Sequence, residues 1–169
     1  MKASILHDKR ILAVDDEPDV LAVLEEEIAT GCPGCTFDKA TSYEQAAQSM
    51  ASSSYDLVIL DIMGVRGFDL LEIAATKKIP AIMLTAHALT PEDLKRSMEL
   101  GARAYLPKEK LGEIVPFLED AISYEYLPGW KRFLTRLEST FNNLWGSQWK
   151  KSEERFWKEF DEKSAHIRW

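Results

Sequence analysis

The sequence predicts an α/β domain built around a parallel sheet, and three observations carry that expectation. Short apolar runs alternate with longer stretches of helical period from the start of the chain to about Tyr126. The runs are apolar throughout instead of alternating, the pattern of a strand buried on both faces. Each leads into a polar residue: Ile11 to Val14 into Asp15, Leu57 to Leu60 into Asp61, Ile79 to Leu84 into Thr85, and Ala104 to Leu106 toward Lys108. Parallel strands align their C-terminal ends along one edge, where loops and ligands gather. Asp15, Asp16, Asp61, Thr85 and Lys108 are therefore expected to converge on one site.

The elements follow in order. After the first strand come Asp15, Asp16 and Glu17, and Pro18 opens the first helix, where a missing N–H costs little. That helix carries Val20, Leu21, Val23, Leu24 and Ile28 and stops before Gly31. Cys32-Pro33-Gly34-Cys35 has the spacing of a redox pair. It follows a helix and precedes a short strand, Thr36 to Lys39, whereas a reactive thiol pair sits at a helix N-terminus; a turn is the favoured reading. Ser42 caps a second helix that runs to about Ser52, and the serines at 52–54 form a loop. Gly67 opens a third helix through Lys77, with Phe68, Leu70, Leu71 and Ile73 at its apolar positions. Thr90-Pro91-Glu92-Asp93 is a helix start, with Thr90 as cap and acids in the first turn, and that helix ends near Gly101. The fifth helix is expected to begin between Gly112 and Pro116 and to reach about Tyr124. Five βα units imply helices on both faces of the sheet.

Clustered carboxylates repel one another and favour a hard cation such as Mg²⁺. A hydroxyl and an ammonium beside them suit a phosphoryl group. The ordered set Ile11-Leu12-Ala13-Val14-Asp15-Asp16-Glu17-Pro18, then Asp61, then Thr85-Ala86, then Tyr105 and Lys108 resembles the receiver domain of bacterial two-component response regulators. The resemblance covers roughly the first three quarters of the chain, and five elements in order at strand ends make it specific. It implies a flavodoxin-like, doubly wound, five-stranded sheet in the order 2-1-3-4-5. It also implies a signalling protein, not an enzyme, that accepts a phosphoryl group on Asp61 from a histidine kinase or phosphotransfer protein.

In that reading Mg²⁺ is held by Asp16, by Asp15 directly or through water, by Asp61 and by the backbone carbonyl of Met63. Lys108 neutralises charge on the transferring group. Thr85 and Tyr105 form the switch, the threonine moving toward the phosphoryl oxygen and the aromatic ring then turning inward. Ala86, being small, leaves the phosphoryl group accessible. The bland alternative for Tyr105 is a half-buried ring at a strand end, and Glu17 reads as a helix-start charge.

The chain departs from the family pattern in several places. The loop Ile62-Met63-Gly64-Val65-Arg66-Gly67 lacks the usual proline four residues after the nucleophile and is about two residues shorter. Glu109 stands where a cis proline is common after the lysine, so a trans bond, or a backbone rearranged by Pro107, is expected. His87 is expected at the mouth of the site, as a solvated loop residue or as one that affects water attack. Met63 occupies the position where an aspartyl phosphatase needs a second aspartate, which argues against that chemistry.

The chain has 169 residues, 46% of them apolar, which suits one domain over residues 1–126 and a helical extension over 127–169. Pro128-Gly129 reads as the break between them. All five Trp residues fall from position 130 onward. Trp130, Leu134, Leu137, Phe141 and Leu144 recur at alternating four- and three-residue steps, the spacing of a helix seam. Gly146-Ser147 ends or kinks this helix, and Trp149, Phe156, Trp157 and Phe160 line a second stretch. The seam is too short for a free coiled coil. Its apolar face must be covered by the domain itself, by a second copy or by another protein, and a homodimer through these helices is the expectation.

Residues 1–122 hold 12 Lys and Arg against 21 Asp and Glu; residues 123–169 hold 9 against 7. That lacks the basic footprint of nucleic-acid binding. No apolar stretch is long enough to span a bilayer, and no signal peptide is evident, so a cytoplasmic protein is expected. The expected output is protein–protein interaction; the alternative is a transcription regulator with a minimal DNA-binding tail.

Overall fold

The structure is a computed structural model that describes residues 4–86 and 90–167. Five parallel strands, β1 (Arg10–Val14), β2 (Thr36–Ala40), β3 (Leu57–Asp61), β4 (Ala81–Thr85) and β5 (Ala104–Pro107), form one sheet in the order β2-β1-β3-β4-β5. The flavodoxin-like order expected from the resemblance is the order found. β3 and β4 are buried along their whole length, as their unbroken apolar runs require. β2, at one edge, is half exposed and carries Asp38 and Lys39. Helices α1 (Pro18–Gly31) and α5 (Ile114–Ser123) pack together on one face; α2 (Tyr43–Ser52) and α3 (Gly67–Thr76) pack together on the other. α4 (Pro91–Glu99) lies beside β5.

Local signals account for most boundaries. The Ser42 hydroxyl accepts from the Gln45 amide at 3.2 Å, and the Thr90 hydroxyl accepts from the Asp93 amide at 3.1 Å, so both expected caps are made. β4 begins at Ala81, two residues later than expected. Lys77 to Ile79 belong to the turn that closes α3: Lys78 has φ +60° and the Ile79 amide donates to the Ala74 carbonyl. Both cysteines are free, and Cys32-Pro33-Gly34-Cys35 is a turn. Cys35 donates to the Leu6 carbonyl, and burial beside Cys32 pushes its thiol up to about 12, so it carries no thiolate at neutral pH. The peptide bond after Lys108 is trans, and a 3-10 turn over Lys108–Glu113 leads into α5.

The C-terminal segment differs from expectation in its start, its seam and its cover. α6 (Tyr126–Trp145) begins before Pro128-Gly129, which lies in its first turns and breaks nothing. Proline is tolerated there because the first four amides of a helix have no internal acceptor. The buried positions are Trp130, Phe133, Leu137 and Phe141; Leu134 is half-buried and Leu144 is exposed. Steps of three, four and four follow the 3.6-residue period of a helix lying on a surface. Gly146, at φ +82°, ends the helix. A 3-10 turn over Trp149–Glu153 then leads to α7 (Glu154–Ser164), which folds back on α6.

The cover is the chain's own α/β unit. The Trp130 indole donates to the Ala102 carbonyl at 2.6 Å, just before β5, and the Tyr126 hydroxyl donates to the Met98 carbonyl at the end of α4. Phe133 meets Phe117 of α5 with ring centroids 5.7 Å apart, and Phe141 meets Tyr105 of β5 at 6.5 Å. Lys95 of α4 pairs with Glu153 at 2.8 Å. α6 therefore closes the β5 edge of the sheet, an edge that otherwise invites pairing with another chain. The aromatic face on which the homodimer expectation rested is turned inward.

Candidate functional site

Strand register builds the site. Val14 pairs with Leu60, so Asp15 follows beside Asp61; Asp61 pairs with Leu84, so Thr85 lies one step beyond; Thr85 pairs with Pro107, so Lys108 lies one step beyond that. All five residues expected to converge do so. Carboxylate oxygens of Asp15, Asp16 and Asp61 lie within 4.8 Å of one another. Asp15 and Asp61 are buried and Asp16 is exposed. Lys108 Nζ reaches Asp15 Oδ2 at 2.9 Å, Asp61 Oδ1 at 3.4 Å and Glu17 Oε1 at 3.5 Å. Asp15 Oδ1 accepts from the Glu17 amide at 2.8 Å, whereas the buried Oδ2 accepts no well-aligned hydrogen bond.

The electrostatics follow from that crowding. Burial, then the neighbouring charge of Asp15, pushes Asp61 up to about 7 against the opposing pull of Lys108. Burial likewise raises Asp15 despite its contacts with Lys108 and the Glu17 amide. Burial pulls Lys108 down, but its contacts with Asp15, Asp61 and Glu17 together leave it raised, so it stays a cation. Two buried carboxylates share one ammonium, and a cation beside Asp16 would relieve the excess. The donor set is all oxygen, as a hard divalent ion requires.

The short loop after β3 is shaped by two glycines. Gly64, at φ +85°, lies so close to the Asp16 carboxylate that a side chain there would collide with it. A side chain at Gly67 would run into the carbonyl oxygen of Asp61, so α3 can start directly against the end of β3 only with glycine. Val65 and Ile62 anchor the loop by burial, while the Met63 side chain is exposed. Met63 and Gly64 line one pocket with Asp16, Glu17, Asp61, Thr85, Ala86 and Lys108.

Asp93 lines the same pocket, and sequence reasoning placed it only as a first-turn acid of α4. Its position three residues after the Thr90 cap was the available signal, since such a side chain points back past the helix start. Tyr105 is not the half-buried ring of the bland alternative but fully buried. Its hydroxyl lies 3.5 Å from the Thr90 carbonyl and interacts with the Thr85 side chain. A second cleft shares Glu17, Thr85, Ala86 and Lys108 with the first and is walled by Leu144 and Trp145 of α6. Nothing in the seam pattern signalled that the extension ends beside this site. His87 lies outside the described residues.

Comparison with known proteins decides the family. The response regulator receiver domain model matches residues 11–118. The chain belongs to the response regulator receiver family. The receiver is 34% identical over 109 residues to a gliding motility regulatory protein of Myxococcus xanthus, covering 61% of this chain and 14% of that protein. It is 35% identical over 113 residues to a two-component response regulator of Arabidopsis thaliana, covering 60% of this chain and 17% of that one. The matches thus span less than a fifth of either relative. Among solved structures, a response regulator from Chloroflexus aurantiacus shares 28% identity with a TM-score of 0.61, covering 69% of this chain and 98% of that one. A CheY-like receiver domain protein from Methanospirillum hungatei shares 25% with a TM-score of 0.57, covering 66% and 94%. Among the described residues, no helix is long and apolar enough to cross a membrane.

Proposed function

We propose that this receiver accepts a phosphoryl group on Asp61 from a phosphohistidine of a histidine kinase or phosphotransfer protein and signals by protein–protein contact in the cytoplasm. The observation that carries the reading is the placement of Asp61: buried, 3.4 Å from Lys108 and flanked by two further carboxylates at adjacent strand ends. An Asp61 oxygen attacks phosphorus; the P–N bond breaks, and its electron pair goes to the imidazole nitrogen. Lys108 faces the incoming group and offsets its charge. Asp15, Asp16, Asp61 and the Met63 carbonyl would hold Mg²⁺, which supplies charge neutralisation on the phosphoryl oxygens. Three carboxylates gathered against one ammonium leave an excess of negative charge, which supports a cation there.

Thr85 and Tyr105 act as the switch in this reading, and the role is conformational, with no catalytic turnover of a substrate. The weakly charged tail, its aromatic face turned onto the receiver, favours a protein partner over DNA. The test is incubation with acetyl phosphate and Mg²⁺. One acid-stable, base-labile phosphate per chain is expected, and none on an Asp61→Asn chain, because an amide does not attack. Equal labelling of that variant would refute the assignment.

A further inference from the structure

The geometry points to Phe141, in the C-terminal extension, as a positioning residue for the phosphoacceptor site: docking of α6 and phosphorylation of Asp61 favour the same inward placement of Tyr105 and strengthen each other. This rests on the reading of Asp61 given above and adds to it a role for the extension.

A short series of neighbours joins the site to the extension. Asp61 and Thr85 line one pocket; the Thr85 side chain interacts with Tyr105; Tyr105 packs against Phe141. Tyr105 lies on β5, the edge strand, yet is fully buried, with both α4 and α6 packed against that strand. An outward-turned Tyr105 would need the space that Phe141 fills, so a docked α6 and an outward ring exclude each other. The tyrosine hydroxyl sits 3.5 Å from the Thr90 carbonyl, well beyond the roughly 2.8 Å of a good O–H···O bond. That contact therefore adds little to hold the ring in place. A phosphoryl group on Asp61 brings strong acceptor oxygens into the pocket and draws the Thr85 hydroxyl to them. That movement frees the Tyr105 hydroxyl to close on the Thr90 carbonyl, which holds the ring inward beneath Phe141.

Phe141 also carries the change outward. Its ring stacks on Trp145 at 4.9 Å and meets Trp149 at 5.9 Å, and Trp149 meets Trp157 of α7 at 5.1 Å. Coupling between two equilibria is reciprocal: the factor by which phosphorylation favours docking is the factor by which docking favours phosphorylation.

The experiment uses the full chain with beryllium fluoride and Mg²⁺ as a stable stand-in for the acyl phosphate. Bound fluoride is read by ¹⁹F NMR, and α6 opening by amide hydrogen exchange. The mimic is expected to slow exchange in α6 by about fivefold or more, the low end of ordinary allosteric coupling. Phe141→Ala is expected to weaken the mimic by the same factor, and Phe141→Leu to restore part of it. Tyr105→Ala is expected to bind the mimic with no effect on α6 exchange, which a merely structural role for Phe141 would not produce. Unchanged or faster α6 exchange in the wild-type chain with mimic bound would overturn the proposal, and this arm needs no variant to fold. Absence of bound fluoride in the wild type would instead overturn the phosphoacceptor reading beneath it.

Discussion

Asp61 shares a buried corner with Asp15, and the energetic consequence has a definite sign. Its carboxyl is raised to about 7 from an ordinary 3.8, mainly by burial and then by Asp15. Between those values the folded chain binds more protons than the unfolded chain, so stability falls as pH rises from about 4 to 7. Asp15 shifts in the same direction. Without metal, the melting temperature is expected to drop from pH 5 to pH 8, and Mg²⁺ to restore it most at pH 8. A melting temperature that rises over that range without metal would contradict the electrostatic account. Asp16→Asn is expected to weaken Mg²⁺ binding, read as NMR shifts at Asp61 and its neighbours; an unchanged affinity would remove Asp16 from the metal. Gly67→Ala is expected to destabilise the chain and slow phosphorylation, because its methyl group would displace the Asp61 carbonyl. The strand-end residues were legible in the sequence because parallel pairing puts the end of every apolar run on one edge. Asp93 carries only a local signal, its place three residues after the Thr90 cap, and its reach into the pocket depends on how α4 packs.

At the scale of elements, the helices and strands of the described residues follow from caps, glycines and apolar period, except where two signals compete. Pro128-Gly129 read as a break because both residues disfavour helix interiors, yet first-turn amides need no partner. In α6 a heptad step and a 3.6-residue step diverge little over so short a helix, so the two patterns share most of their positions. Which residues are covered depends on the receiver surface beneath, which local period does not encode. Trp130 is fully buried and its indole holds the Ala102 carbonyl. Trp130→Ala is expected to cost about 3–5 kcal/mol, read by urea denaturation. A loss below about 1 kcal/mol would mean that α6 contributes little to the fold.

Across the whole molecule, one aromatic network runs from Phe117 on the receiver through Phe133 and Phe141 to Trp157 of α7. The sequence showed that such a face needed cover but not whose surface supplied it, since self-docking and dimerisation impose the same apolar pattern. With the face turned inward, sedimentation of the full chain is expected to show a monomer at high micromolar concentration. Truncation before α6 is expected to expose Phe117 and Tyr105 and promote association. A full-length dimer that falls apart on truncation would reverse this account of the extension. The central claim, that Asp61 and not a neighbouring carboxylate carries the phosphoryl group, is tested most directly by trapping. Borohydride reduces an acyl phosphate of aspartate to homoserine, which peptide mass mapping locates. After acetyl phosphate and Mg²⁺, the account predicts homoserine at position 61 alone; homoserine at 15 or 16, or at none of the three, would contradict it.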